Sequence, residues 1–391
     1  MIYLDYSATT PVNEEVLNTF DLVTRNYIGN PNSLHKLGTD AKKLIDAATK
    51  KIADILNVDS SEVIYTSGAS EANNLAIKGI CFKHHGKHII TTELEHSSVS
   101  ETVKYLETQL GYEVSYVKLD SNGLVDLGDL KGLIRDDTIL VTIAAVNSEV
   151  GICQDIKAIS KILKDYPKVY FHSDMTQAIG KLKVDLSYVD LASISGQKFY
   201  GMKGIGCLIK KRNITLEPLI HGGKSTTVFR SGTPALALIV SLSKALRLCY
   251  IDFDKKYNKV VELHDYLLEK LSLLDVDINS NDYCVPHIVN ISLKNIKSET
   301  MLHALEQDDI YISTQTACST GNYSLAVYAV TKDKERASHS IRISLSYLTT
   351  KGEIDGFLKS FESSYFFKSI NPWRALSAAF SNSIVFSMNL A

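Results

Sequence analysis

Through the first two thirds of the chain, short apolar runs alternate with stretches whose apolar residues recur at helical spacing. The runs EVIYTS (62–67), KHIITT (87–92), EVSYVK (113–118), ILVTIAAV (139–146), VYFHSD (169–174) and LASIS (191–195) read as strands. Between most of them lie amphipathic stretches such as SEANNLAIKGI and DIKAISKILKD. Apolar strands alternating with helices predict a largely parallel sheet covered on both faces. From about Pro234 the texture changes. A long helical stretch (235–253) leads into a second, KKYNKVVELHDYLLEKLSLL. Then come HIVNISL, the helical SETMLHALEQDD, IYIST, SIRISLSYLT and a helix around 351–367. Fewer strands with helices grouped beside them predict a smaller α+β lobe. The expected division is a large domain at 13–253 and a small domain built from 1–12 and 254–391.

Composition narrows the possibilities. The chain has 391 residues, 45% hydrophobic and 22% charged, enough to bury a sizeable core. Its formal net charge of -2 offers no basic surface for nucleic acid or an anionic membrane. The start MIYLDYSATTP lacks a basic region followed by an apolar core, so no signal peptide is expected. No segment has the length and apolarity of a membrane-spanning helix; the tail ALSAAFSNSIVFSMNLA is short and broken by serines and asparagines. Six scattered cysteines with no C-x-x-C pair predict reduced thiols and a cytoplasmic protein. KHHGKH (83–88) reads as a polar loop, and no metal is expected.

In open α/β sheets, ligands sit beyond the carboxyl ends of the strands. The polar groups at those ends are Ser67-Gly68-Ala69-Ser70, His96, Asn147-Ser148-Glu149, Asp174 to Gln177, and Ser195-Gly196-Gln197-Lys198. The first stands between a strand and a helix, where a glycine turn and a helix start suit a phosphate. Taken alone, it reads as an ordinary helix cap. There is no G-x-x-x-x-G-K-[ST] and no G-x-G-x-x-G in the first βα unit, which counts against nucleotide sites. Asp174 ends an apolar strand and alone reads as a salt-bridge partner or cap. Lys198 alone reads as a strand-end lysine with its head in water. Together, a phosphate cradle, a buried acid and a lysine at three strand ends are what pyridoxal phosphate requires.

With these pieces in place the chain resembles the cysteine desulfurases of the NifS/IscS type, in the class V aminotransferase branch of fold-type I pyridoxal-phosphate enzymes. The stretches that carry the resemblance are YLDYSATTP, GNPNSLH, IYTSGASEANNLAIKG, HIITTELEHSSV, DDTILVTIAAVNSEVG, FHSDMTQAIGK, SGQKFYGMKGIG, FRSGTPA, TACST and SIRISLSYLTT, in the family's order and over nearly the whole chain. The resemblance implies a mostly parallel seven-stranded sheet flanked by helices, with a smaller α+β domain. It implies that Lys198 attaches the cofactor, Asp174 pairs with its pyridine nitrogen, and Gln177 and Ser148 lie at the ring hydroxyl. His96 would stack on the ring and move protons. Ala69, Ser70, Ser195 and Gln197 would hold the phosphate, joined by Thr233 across a homodimer. Arg342, assisted by Asn32, would grip the carboxylate of L-cysteine. Cys318, on a polar loop, would take the sulfur as a persulfide and pass it to an acceptor, such as an iron–sulfur scaffold or a tRNA-thiolation enzyme.

Four departures from the family pattern stand out. Gln197 replaces a histidine, so a neutral amide faces the phosphate. Ser148 replaces an asparagine, HGGKSTTVFRSGT lacks the usual G-G-Q-E, and Gln315-Thr316-Ala317 precedes Cys318, only 24 positions before Arg342. The chain therefore reads as a specialised member with weakened cofactor binding. Two rival readings are another class V reaction, such as that of selenocysteine lyase or a related lyase or aminotransferase, and a non-catalytic scaffold. Cys318 discriminates the first, since sulfide release that survives its loss would favour that rival, and the full set of reactive residues speaks against the second.

Overall fold

The computed structural model describes residues 1–314 and 323–370. Twelve strands are described: β1 (Ile2–Tyr3), β2 (Val63–Thr66), β3 (His88–Thr91), β4 (Glu113–Tyr116), β5 (Thr138–Thr142), β6 (Tyr170–Asp174), β7 (Leu191–Ser195), β8 (Gly206–Lys210), β9 (Val276–Ile278), β10 (Ile288–Leu293), β11 (Ile310–Tyr311) and β12 (Ser340–Ser344). Seven form one sheet in the order β2-β8-β7-β6-β5-β3-β4. Its paired neighbours are parallel except for β8, which runs antiparallel to both β2 and β7.

The side-chain alternation of the strands divides the apolar residues between two cores. Val63, Tyr65, Ile90, Val141, Ala192, Ile194 and Cys207 enter one, with helices Glu14–Asn26, Lys36–Leu56 and Leu236–Tyr250. Ile64, Ile89, Leu140, Leu191 and Leu208 face the other, with helices Ala69–Lys83 and Ser97–Leu110. Burial on both faces explains the continuous apolar runs. A third core joins the antiparallel sheet β12-β10-β9 to helices Phe253–Leu271 and Lys351–Ile370. In the first of these helices Val260, Leu263, Leu267 and Leu271 form one buried stripe. Leu4 enters this same core, and β1 pairs in parallel with β11. The amino-terminal residues therefore start against the carboxyl-terminal part of the chain.

Strand β8 was not among the runs read as strands, because GCLIK is a brief apolar patch between glycines and lysines. The helical stretch 235–253 breaks at Tyr250, and Asp252 takes a left-handed φ of 51° before the next helix begins. Among the described residues no helix is long and apolar enough to cross a membrane.

Gly206 opens β8 opposite Ser195. A Cβ there would press on the Ile194 carbonyl and stand 2.8 Å from the Gly68 Cα. Gly206→Ala should lower stability by about 1–3 kcal/mol, the usual cost of overpacking. Chemical denaturation checks this, and an unchanged midpoint would show that the loop after β2 and strand β8 can separate freely.

Candidate active site

At the carboxyl ends of β2, β6 and β7 lies a cavity of about 340 Å³. Ser67 to Glu71, His96, Ser148, Asp174, Gln177, Ser195, Gln197, Lys198 and Arg342 all line it, with Ser7 and Ala8 from the amino terminus. Its floor at β2 is a glycine turn. Gly68, φ 153°, precedes helix Ala69–Lys83 and makes no side-chain cap, and a Cβ on it would stand 3.6 Å from Ser195 Oγ. Glu71 in the first helical turn accepts the Ser67 N–H at 2.7 Å and pairs with Arg230 at 2.9 Å. The acid is thus neutralised from outside the turn, and the helix start keeps its attraction for an anion.

Asp174, at the end of β6, is 6% exposed. Its Oδ2 accepts the Asn73 amide at 2.8 Å and its Oδ1 the Thr176 N–H at 2.9 Å. Both donors are neutral, and among the described residues no ion pair involves this carboxylate. A buried carboxylate without a cation is costly, so the salt-bridge reading fails and a positive partner from the cavity fits.

Lys198 closes a short helical turn after β7. Its Nζ donates to the carbonyls of Ser7 and Ala8, each at 2.7 Å, so its head faces backbone oxygens at the cavity wall. Gln177 Nε2 donates to the same Ser7 carbonyl at 2.9 Å, while Gln177 Oε1 accepts Lys181 Nζ at 2.9 Å. Burial, with Lys198 and Arg342 nearby, pushes the Lys181 amine down to about 7.

His96 caps helix Ser97–Leu110, its Nδ1 accepting the Ser98 N–H at 3.1 Å. Burial holds the ring below the ordinary histidine value, against the pull of Asp174 and with the push of Lys198. Arg342, on β12, is 3% exposed. It donates from Nη1 to the Ser148 carbonyl at 2.8 Å and pairs through Nη2 with Asp5 at 2.7 Å. Its Nε is buried without an acceptor.

Not every expected residue joins the cavity. Thr233 lines an adjoining space of about 100 Å³ that shares Ser67 and Gly204 with the main one. Asn32 sits exposed in a turn and does not line the cavity. Cys318 falls outside the described residues. Sequence reasoning missed Asp5, Asn73 and Lys181 as parts of the site. Asn73 had a signal, being a polar residue on the apolar face marked by Ala72, Leu75 and Ala76.

Residues 2–357 match the family described as aminotransferase class-V. The chain belongs to this family. Among class V relatives, a NifS/IcsS protein homolog of Lactobacillus delbrueckii subsp. bulgaricus is 41% identical over 93% of this chain and 97% of its own. A cysteine desulfurase IscS of Dictyoglomus turgidum is 38% identical over 90% of this chain and 92% of its own. A solved NifS-like protein superposes with a TM-score of 0.88 at 34% identity, covering 94% of this chain and 99% of that one.

Lys181 carries a testable electrostatic consequence. In the unfolded chain its amine titrates near about 10.4. From about pH 7 to about pH 10 the unfolded state therefore binds more protons, and this residue makes stability rise with pH. The pH dependence of unfolding for Lys181→Met, compared with wild type, should lack that rise. Parallel curves would contradict the desolvation of the amine.

Proposed function

We propose that the protein is a pyridoxal-phosphate-dependent cysteine desulfurase that converts L-cysteine to L-alanine and leaves the sulfur on Cys318 as a persulfide. The observation that carries this reading is the convergence of Lys198, Asp174, His96 and Arg342 on one cavity beside a glycine-turn helix start. The residues present fit the cofactor. The cation-free buried Asp174 suits a protonated pyridine nitrogen, and the Gly68 turn with Ala69, Ser70, Ser195 and Gln197 suits its phosphate. Lys198 is the attachment point, and Gln177 and Ser148 lie on the same wall. When bound, pyridoxal phosphate supplies an aldehyde that condenses with amines and an electron-accepting ring that stabilises negative charge at the adjacent carbon.

The protein's own groups do the rest. Asp5 and the Ser148 carbonyl fix the Arg342 guanidinium at the cavity wall, where it would meet the substrate carboxylate. The Lys198 amine takes the α-proton, and His96 lines the same cavity, where it would stack on the bound ring. The Cys318 thiolate then bonds to the substrate sulfur as the Cβ–S bond breaks. The α-proton returns to Cα and the proton shed by the Cys318 thiol completes the methyl group, so cysteine and a thiol become alanine and a persulfide with no external oxidant. Burial pushes the thiols of Cys81, Cys153, Cys207 and Cys249 up to about 12, and that of Cys284 up to about 11. These five are poor nucleophiles, which supports the assignment of the sixth.

The working form is a cytoplasmic homodimer in which Thr233 completes the partner's phosphate site. The high exposure of Ile28, Leu34 and Val228 fits burial against a second copy. The lobe boundaries at 12/13 and 253/254 belong to this reading, as does a dedicated acceptor protein for the persulfide.

Mass spectrometry after exposure to L-cysteine should find one added sulfur on the Cys318 peptide, with alanine formed in equal amount. Cys318→Ala should lose both sulfur loading and alanine formation by at least about 10²-fold, the scale for removing a positioned nucleophile or proton donor. A Cys318→Ala protein that released sulfide at the wild-type rate would favour a lyase of the selenocysteine lyase type.

A further inference from the structure

We infer that Asn73 is a positioning residue that sets the tautomer of His96, keeping the ring hydrogen on Nε2 and leaving Nδ1 only an acceptor. The inference rests on the proposed function in treating His96 as a residue of the reaction site, and it assigns which of its nitrogens can serve there.

Asn73 lies on helix Ala69–Lys83 and is fully buried. Its Nδ2 stands 2.8 Å from Asp174 Oδ2 and 2.8 Å from Ser98 Oγ. A carboxylate only accepts, so the amide must turn its NH₂ toward Asp174, and its second hydrogen is directed at the serine. Ser98 Oγ then already accepts one bond. Its single hydrogen points to the remaining neighbour, His96 Nδ1, 2.9 Å away. The Ser98 backbone N–H also donates to that nitrogen, at 3.1 Å. Two donors aimed at one ring nitrogen require a lone pair there, so the ring hydrogen sits on Nε2.

The direction of every bond therefore follows from the charge on Asp174. The carboxylate orients the asparagine, the asparagine orients the serine, and the serine orients the histidine. A second proton on Nδ1 would meet both Ser98 donors head-on, at the positive end of helix Ser97–Leu110. The charged groups around the ring are Asp174 and Glu149, which favour the cation, and Lys198, which opposes it. Burial adds to the opposition, and the ring titrates below its ordinary value. In a neutral His96 with Nε2–H the one lone pair is taken by the Ser98 donors, so none is free for the α-proton. That task falls to Lys198.

The test uses the full-length protein with ring-¹⁵N histidine, with and without added pyridoxal phosphate. Long-range ¹H–¹⁵N correlations report the tautomer, and the signals missing in His96→Asn identify this ring. Wild type should show Nε2–H and a bare Nδ1 at neutral pH. In Asn73→Leu the serine hydroxyl is released, so the Nε2–H to Nδ1–H ratio should fall at least threefold and the titration midpoint rise. Ser98→Ala should move both in the same direction, and it serves if the buried Asn73 variant does not fold. A wild-type ring carrying hydrogen on Nδ1 overturns the inference. So does a folded Asn73→Leu protein with the wild-type ratio and midpoint. The tautomer is readable without cofactor or turnover. A protein with the expected ring state that neither binds pyridoxal phosphate nor loads sulfur would uphold this inference and remove the proposed function instead.

Discussion

Before any cofactor is attached, two hydrogen bonds tie the site together: those from the Lys198 amine to the carbonyls of Ser7 and Ala8. They join residues about 190 positions apart and bring the amino-terminal segment onto the end of β7. That segment is already fixed at its other end, where Leu4 is buried with β10 and β12 and the Ser344 N–H donates to the Leu4 carbonyl. The Asp5–Arg342 ion pair adds a second tie between the same parts. The cavity is thus walled by the large sheet, by the first eight residues and by the arginine of β12. Attachment of the cofactor to Lys198 would take its nitrogen off these carbonyls, and the Gln177 amide on the Ser7 carbonyl and the Asp5–Arg342 pair would then hold that wall.

The charges in this cavity are arranged unequally. Lys198, Arg342, Glu71 and Asp174 line it; Arg342 is paired with Asp5 and Glu71 with Arg230, while among the described residues no ion pair involves Asp174. The two cations suit a ligand that carries a phosphate and a substrate that carries a carboxylate, and the open carboxylate suits a protonated nitrogen. Asp174 is held by neutral donors, the Asn73 amide and the Thr176 N–H, rather than by an opposite charge. Amides and carbonyls satisfy their hydrogen bonds without cancelling their fields. This keeps the charge available for the ligand. Asn73 and Gln177 illustrate the principle, each using one amide to hold a charged group on either side of the reaction space.

Much of this was legible in the sequence. Buried strands appeared as continuous apolar runs because both faces of the sheet are covered, and the chemistry-bearing residues stood at the carboxyl ends of those runs. Lys198, Asp174, His96 and Gln177 needed only that rule and the resemblance to be grouped. Strand β8 escaped because an antiparallel return of five residues between glycines and lysines carries little periodic signal. The Ser7 and Ala8 carbonyls escaped because backbone acceptors leave no trace in side-chain pattern. Lys181 drew no reading from the sequence, and only its burial against Gln177 distinguishes it. Asn32 and Thr233 rest on the resemblance alone, since the main cavity does not include either.

The central claim is that Lys198 is the amine that binds the cofactor covalently. Borohydride reduction of the purified protein with pyridoxal phosphate bound, followed by peptide mapping, reads this bond directly. The account predicts one pyridoxyl group per chain, on the peptide that contains Lys198. A label on Lys181 or another lysine, with Lys198 unmodified, would contradict it.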